Sequence, residues 1–438
     1  MRTSFLAQLS CPECSSPLQA DLVLEGNAEE ITAGTVRCQC SQYPIVAGIL
    51  VFQRDSGTKV ITSLLNRGKV TESLNILTDT RPDRFTFKGI SYLERSGAPI
   101  PLTGYKLLMK LLRVGSRPIS ECEGATFVKT IDSLGWGYWA EYLKYRFSSP
   151  SFVGAVTLAQ LIQPSTKPTL DLGCGTGHSA YALSARVPED TLVCADVIFI
   201  HLYLAKKFFV NNAQFICLDA NRRLPFRDGF FSNVTSVDGF HWVRSSQELA
   251  QELTRILQAE GILLLPHLHN RMVYEGIGYP LSPEEYSSLF GALEPRLLPE
   301  SKIVEDFTKE GSIDLSGSNA YDVLNKCDTI SLVASRNQGI FKRYGGQDDA
   351  LLKSSRRLTV NPMYRVETVG DKYLLELNKI SDEFQAEYPL LHSYLPDHIQ
   401  IEKEMLDQVL RHEAISNLPE IRKLVRDFVL IDTPKNYE

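Results

Sequence analysis

The stretch TLDLGCGTGHSA, residues 169–180, joins a short apolar run to three glycines at alternate positions. An acid and the glycines recur at every second residue: Asp171, Gly173, Gly175 and Gly177. Glycines after a strand let a cofactor approach the backbone closely, because they carry no side chain. A dinucleotide-binding turn has the spacing G-x-G-x-x-G, which would put a glycine where His178 stands. The turn is therefore predicted to bind a cofactor other than a dinucleotide.

The spacing D-x-G-x-G-x-G resembles motif I of the class I S-adenosylmethionine (SAM)-dependent methyltransferases. SAM carries an amino-acid end and a sulfonium, so an acid at the strand end suits its ammonium group, usually through water. The glycines let the backbone run against the adenosyl and methionyl parts. The resemblance implies that Asp171 and the three glycines bind SAM.

Two further aspartates follow at the spacing that this family uses. Asp196, in LVCAD, stands 25 residues after Asp171, where the second strand of the fold ends in an acid that holds the ribose hydroxyls. Asp219, in FICLDA, stands 23 residues further on and corresponds to the acid near the adenine amino group. Ala220 and Asp238 complete the predicted cofactor-binding set.

The passage LPFRDGFFSNVTSVDGFHWV resembles the family sequence LPF-x-D-x-x-F-D-x-V, with Ser232 where an aspartate is common. The resemblance covers residues 165–270. It is closest to the small-molecule subgroup related to the methyltransferases of ubiquinone and menaquinone biosynthesis. It implies an α/β, doubly wound Rossmann-like sheet and transfer of a methyl group to an oxygen, nitrogen or carbon atom of a small metabolite.

Histidines follow the fourth and fifth predicted strands, in DGFHWV and PHLHN. Ligands of a doubly wound sheet bind outside the carboxyl ends of its strands. His241, His267 and His269 are therefore the candidate catalytic residues, with Asn270 beside them. An oxygen acceptor usually loses a proton, which a histidine can take, whereas a nitrogen or activated carbon needs only orientation.

Other roles for these histidines stay open at the level of sequence. His241 can equally pack or cap at its position. His267 and His269 alternate along a strand, so at most one of them is expected to face the pocket. H-x-H also suggests a metal, but the sequence identifies no third ligand.

Four of the nine cysteines form two close pairs near the N-terminus: Cys11, Cys14, Cys38 and Cys40. Two tight turns bearing thiolates can converge on one tetrahedral zinc ion. The sequence CPEC…CQC…YPIVAGIL resembles the zinc ribbon of the protein that activates tRNA methyltransferases. It departs from that pattern in its C-x-C pair and in Leu50, which replaces a proline. The resemblance implies a structural zinc site, with a metal-free remnant of the fold as the alternative. The five scattered cysteines are typical of reduced thiols.

Strands alternate with helices in units of about 20–25 residues from residue 151, which predicts a parallel doubly wound sheet. We predict four units: a zinc-ribbon-like domain (1–53), a mostly helical connector covering the pocket (54–150), the SAM-dependent methyltransferase domain (151–337) and a C-terminal α+β extension of unknown role (338–438). GYKLLMKLLRV predicts a helix in the connector, and DTISLVASRN predicts a late strand of the sheet. YRVETVGDKYLLEL predicts a hairpin in the extension.

Composition and charge narrow the expected partners. No run of about 18 apolar residues is present, so we expect no membrane partner and a cytoplasmic location. The net charge of −6 opposes extensive binding of nucleic acid. Residues 56–117 nevertheless hold 11 basic and 4 acidic side chains, which keeps an RNA methyltransferase as an alternative to a small-molecule enzyme. A third alternative is a non-catalytic SAM-binding scaffold that contacts a protein partner through the ribbon or the extension.

Overall fold

The structure, a computed structural model, describes residues 1–53, 56–79, 125–163, 165–346, 348, 357–378, 380–411, 413 and 419–438. The helix predicted from GYKLLMKLLRV lies outside these residues, as does much of the basic stretch. Across the described ranges, no helix is both long enough and apolar enough to cross a bilayer.

The strands, in chain order, are β1 (Gln19–Gly26), β2 (Ile31–Arg37), β3 (Gln42–Val46), β4 (Ile49–Val51), β5 (Thr169–Leu172), β6 (Leu192–Asp196), β7 (Gln214–Cys217), β8 (Phe231–Thr235), β9 (Leu257–His269), β10 (Arg296–Pro299), β11 (Ile313–Asp314), β12 (Thr329–Ala334), β13 (Arg343–Tyr344), β14 (Leu358–Val360), β15 (Tyr364–Val369), β16 (Lys372–Leu377), β17 (His398–Glu402) and β18 (Leu430–Asp432). Eleven of them form one sheet in the order β1-β2-β3-β4-β7-β6-β5-β8-β9-β12-β10.

The helices are α1 (Thr3–Leu6), α2 (Ser56–Leu65), α3 (Val70–Leu77), α4 (Phe127–Leu134), α5 (Tyr138–Tyr145), α6 (Pro150–Ala159), α7 (His178–Leu183), α8 (Phe199–Phe208), α9 (Ser246–Ile256), α10 (Pro283–Leu289), α11 (Glu300–Glu310), α12 (Tyr321–Leu324), α13 (Asp382–Glu387), α14 (Lys403–Leu410) and α15 (Pro419–Arg426).

The middle of the sheet is parallel and doubly wound, as the sequence predicts. β4, β7, β6, β5, β8 and β9 are neighbours in this order and pair in parallel. Every residue of β5, β6 and β7 is buried, because a parallel sheet carries helices on both faces. The chain runs outward from β5 to β7 and then returns to β8 on the other side of β5. This reversal creates the crevice in which such sheets bind ligands.

Two apolar cores cover the faces of the sheet, because successive strand residues point to opposite sides. In β4, Ile49 and Val51 belong to the core that also contains Phe152 of α6. Leu50 belongs to the other core, with Leu249 of α9. The strict alternation within three residues shows that β4 is buried on both faces.

The N-terminal segment continues this sheet. β1, β2, β3 and β4 form an antiparallel meander, and β4 pairs in parallel with β7. The N–H of Phe52 extends that pairing by donating to the carbonyl of Cys217 at 2.8 Å. The ammonium group of Met1 is buried and donates to the carbonyl of Ile31 at 2.9 Å. Residues 1–53 therefore share the hydrogen bonds of the central sheet, and the boundary at residue 53 stays a prediction.

The C-terminal strands include the predicted hairpin, β15–β16, which β17 extends to three antiparallel strands. The predicted late strand is also confirmed, since β12 lies between β9 and β10. Hydrogen bonds from two tyrosines connect the C-terminal segment to the helical region before β5. The hydroxyl of Tyr394 donates to the carbonyl of Ser148, and that of Tyr437 donates to the carbonyl of Lys144. These contacts bring the C-terminal residues close to the carboxyl edge of the sheet.

Candidate active site

The glycines of the turn after β5 all adopt positive φ angles, 71° at Gly173, 53° at Gly175 and 101° at Gly177. They differ in what surrounds them. A Cβ at Gly175 would meet nothing within 4 Å, whereas one at Gly177 would lie 2.8 Å from the Cβ of Ala205 in α8. Gly177 thus lets α8 pack against the turn, and Gly175 leaves the backbone open to a ligand.

Asp196 joins the end of β6 to this turn. One of its carboxylate oxygens accepts the N–H of Gly175 at 2.9 Å, and the other accepts the N–H of Ile198 at 2.8 Å. The side chain is 9% exposed. The structure therefore brings two of the predicted cofactor elements, the glycine turn and Asp196, into direct contact.

Asp171 lies beneath the turn and is buried in β5. Its Oδ2 accepts the hydroxyl of Ser179 at 2.6 Å, while its Oδ1 has no hydrogen-bond partner within the described structure. Burial raises the pKa of the Asp171 carboxyl to about 7. A buried oxygen without a partner is suited to a cation or a water molecule that a ligand brings.

Asp219 and Ala220 follow β7 at the same edge of the sheet, because the N–H of Leu218 donates to the carbonyl of Asp196. The Asp219 carboxylate accepts the N–H of Asn221 at 2.9 Å, and its side chain is 37% exposed. Ala220 is half-buried. Asp219 is thus the most open of the predicted cofactor acids.

The loop after β8 and the end of β9 bring three histidines and one aspartate together. The rings of His241 and His269 stack with centroids 4.1 Å apart, and those of His267 and His269 lie 5.3 Å apart. The Nε2 of His241 lies 3.5 Å from the Oδ1 of Asp238. All the predicted catalytic residues therefore share one site. Asp238, which the sequence grouped with the cofactor, lies among them.

The expectation that at most one of His267 and His269 faces the site is wrong. His267 has a φ of 59°, in the left-handed region. The pairing of β9 with β12 shifts register at the same place, between Leu265 and Leu268. A bulge of this kind breaks the alternation of side chains along a strand, so both histidines reach the cluster.

Arg146, which follows α5, neutralises Asp238. Its Nη1 donates to the Oδ2 of Asp238 at 3.0 Å, and the hydroxyl of Tyr142 donates to the same oxygen at 2.9 Å. Burial opposes ionisation of Asp238, but the neighbouring His267 and Arg146 hold the pKa of its carboxyl well below its usual range. Asp238 is therefore an anion. The sequence did not mark Arg146, because it lies 92 residues from its partner.

Glu300, the first residue of α11, binds His267. The Nδ1 of His267 lies 2.8 Å and 2.9 Å from the two carboxylate oxygens, and Glu300 is 2% exposed. Burial disfavours the imidazolium, but the contact with Glu300 raises the pKa of His267 above its usual value. By contrast, burial lowers the pKa of His241 to about 3 and that of His269 to about 4. At neutral pH the latter two rings are uncharged.

Two tyrosines cover the histidine cluster. The Tyr274 ring lies 3.9 Å from the His269 ring, and the Tyr388 ring lies 6.5 Å from the His267 ring. Tyr388 follows α13, so the C-terminal segment supplies part of the cover. Its hydroxyl lies 3.5 Å from the Nη1 of Arg146. Neither tyrosine could be predicted as part of the site, since both are distant from the motifs in the sequence.

The four N-terminal cysteines form a second cluster, in which all sulfur atoms lie within 4.8 Å of one another. The Sγ of Cys40 lies 3.7 Å from that of Cys11 and 3.5 Å from that of Cys38. Zinc–sulfur bonds of about 2.3 Å in a tetrahedron place the sulfurs about 3.8 Å apart. A hydrogen bond from the Ser16 hydroxyl lowers the pKa of Cys14 to about 6, which favours the thiolate that a metal binds. The donor set therefore fits a tetrahedral metal ion.

The segment that contains most of the parallel strands is similar to known proteins. Residues 170–265 match the model of the family described as "Methyltransferase domain". The malonyl-[acyl-carrier protein] O-methyltransferase of Methylovorus sp. (strain MP688) is 28% identical over 116 residues, which cover 25% of this chain and 39% of that protein. The enzyme of the same description from Marinomonas sp. (strain MWYL1) is 31% identical over 113 residues, covering 25% of this chain and 42% of that protein. The chain thus spans about two fifths of the length of these curated relatives.

A solved SAM-dependent methyltransferase from Aquifex aeolicus is 16% identical, with a TM-score of 0.31, and the alignment covers 48% of this chain and 97% of that one. The residues of the glycine turn fall within the matched family segment. Residues 170–265 therefore carry a class I SAM-dependent methyltransferase domain, built on a Rossmann-like sheet whose six central strands are parallel.

Proposed function

We propose that this protein transfers a methyl group from SAM to an oxygen atom of a small-molecule acceptor. One contact carries the proposal. A Cβ at Gly173 would lie 3.6 Å from the Cα of Gly239, so the turn after β5 touches the loop that holds Asp238 and His241. A donor bound on the glycine turn would thus lie next to the histidine cluster.

The chain's own residues supply the binding of the donor. Asp171 offers a buried oxygen to the ammonium end, Gly175 offers an open backbone, and Asp196 stands where the ribose hydroxyls would be held. When bound, SAM supplies a methyl group activated by the sulfonium. The enzyme then has to orient the acceptor and exclude water from the reaction.

His241 is the residue that we assign to the acceptor proton. Its ring is uncharged at neutral pH, and both of its nitrogens lack a hydrogen-bond partner in the described structure. When a hydroxyl oxygen attacks the methyl group, the carbon–sulfur bond breaks and a protonated ether forms; this oxonium is a strong acid, so even a weakly basic imidazole can take its proton. Arg146 is paired with Asp238 and His267 with Glu300, so the cluster is polar, which suits an oxygen compound.

The cover over the cluster favours a small acceptor over a polynucleotide. Tyr274 and Tyr388 close over His269 and His267, which are each 5% exposed. The relatives named above act, by their descriptions, on malonyl groups carried by acyl-carrier protein. Malonyl thioesters and other carboxylates, which carry no proton to remove, are therefore the first acceptors to screen, followed by hydroxyl compounds, whose proton His241 would take.

We also propose that Cys11, Cys14, Cys38 and Cys40 hold a structural zinc ion. Their sulfur spacing supports a tetrahedral site, and four cysteine ligands leave no open position for catalysis. The ion would fix the turns that precede β1 and β3, and thereby the edge of the central sheet.

Calorimetric titration with SAM and with S-adenosylhomocysteine tests the donor site. Asp196→Ala should weaken binding at least tenfold, or about 1.4 kcal/mol. The matched control is Asp190→Ala, since Asp190 stands just before the same strand with a side chain that is 61% exposed. Folded wild-type protein that binds neither compound would refute the proposal. Transfer of labelled methyl from SAM to malonyl thioesters and to fractionated metabolite extract then tests the chemistry.

A further inference from the structure

We propose that Asp238, His267 and His269 form a binding site for a divalent transition-metal ion, separate from the cysteine cluster. One potential ligand atom from each of the three lies within 4.8 Å of the other two. Metal–nitrogen and metal–oxygen bonds of about 2.1 Å place two ligands at most about 4.2 Å apart, so small side-chain rotations would close the site around an ion. The sequence offered His267 and His269 as a pair, and the fold supplies Asp238 as the third ligand.

Glu300 holds His267 in the manner of an outer-shell carboxylate. A histidine that ligates a metal usually donates its other ring N–H to a carboxylate, which fixes the ring and its tautomer. The Nδ1 of His267 contacts both Glu300 oxygens, which leaves its Nε2 available to an ion. Thr329 in turn donates to Glu300 at 2.9 Å. This chain of contacts orients one imidazole toward the other two ligands.

Buried histidine nitrogens without a hydrogen-bond partner in the described structure also point to a bound ligand. The Nδ1 of His269 and both nitrogens of His241 are buried without a hydrogen-bond partner in the described structure. Buried polar atoms of this kind are rare in folded proteins. His241 lies 3.5 Å from the Oδ1 of Asp238, so a nitrogen of this ring can bind a water molecule or an acceptor oxygen on the ion.

Charge and backbone geometry agree with a cation at this place. Asp238 and Glu300 bring two negative charges, of which Arg146 balances one through the Oδ2 of Asp238. The Oδ1 of Asp238 stays on the histidine side. Asp238 and His267 also adopt left-handed backbone angles, with φ of 55° and 59°. Such angles cost energy in residues other than glycine, and they often occur at functional sites.

A donor set of two imidazoles and one carboxylate indicates which metal ions the site would bind. This donor set suits iron, manganese, cobalt or zinc in the divalent state, whereas magnesium prefers oxygen ligands. Three protein ligands leave open positions for an acceptor oxygen. The role of the ion, to bind and orient that oxygen, rests on the proposed methyl transfer, whereas the binding of the ion does not.

The experiment measures metal binding without enzyme turnover. The full-length protein is stripped with a chelator, titrated with Co²⁺ and followed by absorption, and its metal content is measured after dialysis. Thiolate ligands give intense near-ultraviolet charge-transfer bands, so the cysteine cluster is distinguished from a nitrogen and oxygen site. We expect His269→Ala to lose one equivalent of Co²⁺ and its visible bands while the thiolate bands stay unchanged.

Two further variants complete the design. Glu300→Gln should lower the affinity for the same equivalent of Co²⁺ 10- to 100-fold, because the substitution holds His267 less firmly in place. The matched control, His398→Gln, replaces a histidine whose side chain is 72% exposed and should bind metal as the wild type does. Equal stoichiometry and affinity in wild type and both site variants would overturn the proposal. SAM titration of each variant checks folding, and metal binding without SAM binding in the wild type would refute only the proposed function.

Discussion

Asp171 is buried in the sheet and is also predicted to bind the cofactor, so its protonation affects both the stability of the fold and the binding of SAM. Its carboxyl is buried in β5 with one oxygen bonded to Ser179 and the other without a partner in the described structure. Burial raises its pKa from 3.8 to about 7. The folded protein therefore keeps this proton up to about pH 7, whereas the unfolded chain releases it near pH 3.8. Unfolding releases a proton across this window, so the stability of the folded state falls as the pH rises through it.

The size of the effect follows from 1.36 kcal/mol per pKa unit. With these two pKa values, ionisation of Asp171 lowers the free energy of unfolding by about 1.5 kcal/mol at pH 5 and by about 4 kcal/mol at pH 8. Asp171→Asn keeps the shape and removes the titration. The free energy of unfolding of the variant, relative to wild type at the same pH, should therefore be about 2–3 kcal/mol higher at pH 8 than at pH 5.

Urea denaturation followed by tryptophan fluorescence at both pH values measures this difference. Asp190→Asn is the control, because it makes the same substitution at a side chain that is 61% exposed. SAM affinity should fall in Asp171→Asn, since a neutral amide cannot balance the ammonium group. A stability difference for Asp171→Asn that does not change with pH would refute the reasoning.

Three other perturbations test the packing and the metal centre. Gly177→Ala places a Cβ 2.8 Å from Ala205 at a φ of 101° and should lower the free energy of unfolding in urea by about 2–4 kcal/mol. Gly229→Ala, at a φ of 59° in open space, should cost only about 1 kcal/mol, and equal losses would count against the packing role. Arg146→Met leaves Asp238 buried without its cation and should lower the free energy of unfolding by about 3–5 kcal/mol. A loss below about 1 kcal/mol would contradict this role of Arg146. Cys14→Ser should release zinc to a colorimetric chelator faster than wild type and lower the thermal midpoint, and identical release would argue against the zinc site.

The donor half of the site could be predicted from sequence because its signals are local. Asp171 and the glycines lie within seven residues, Asp196 ends the next strand and Asp219 follows the one after it. The structure adds the reason for each glycine, since Gly177 admits α8 and Gly175 leaves open space. These roles depend on neighbours that no single motif contains.

The acceptor half could be predicted only in part, because its residues come from separate segments. The three histidines follow from the rule that ligands bind at the carboxyl ends of strands. The bulge that turns His267 into the cluster depends on the pairing with β12, which alternation along β9 does not reveal. Glu300 resembles an ordinary acid at a helix N-terminus until the fold brings the start of α11 beside His267. The joining of β4 to β7 is also a tertiary pairing without a local signal.

The similarity to known proteins covers the donor half of the site but only part of the acceptor half. The family match ends at residue 265, so it includes the glycine turn, Asp196 and Asp238 but stops before His267 and His269. Arg146 precedes the match, and the C-terminal extension supplies Tyr388. The acceptor side is therefore assembled largely from segments outside the shared domain. A change of acceptor within this fold would require changes in those segments, whereas the donor site could stay the same. For this reason the malonyl thioesters that the relatives indicate are only the first acceptors to test, and the chemistry of the histidine cluster and of the metal that we propose it binds should guide the search beyond them.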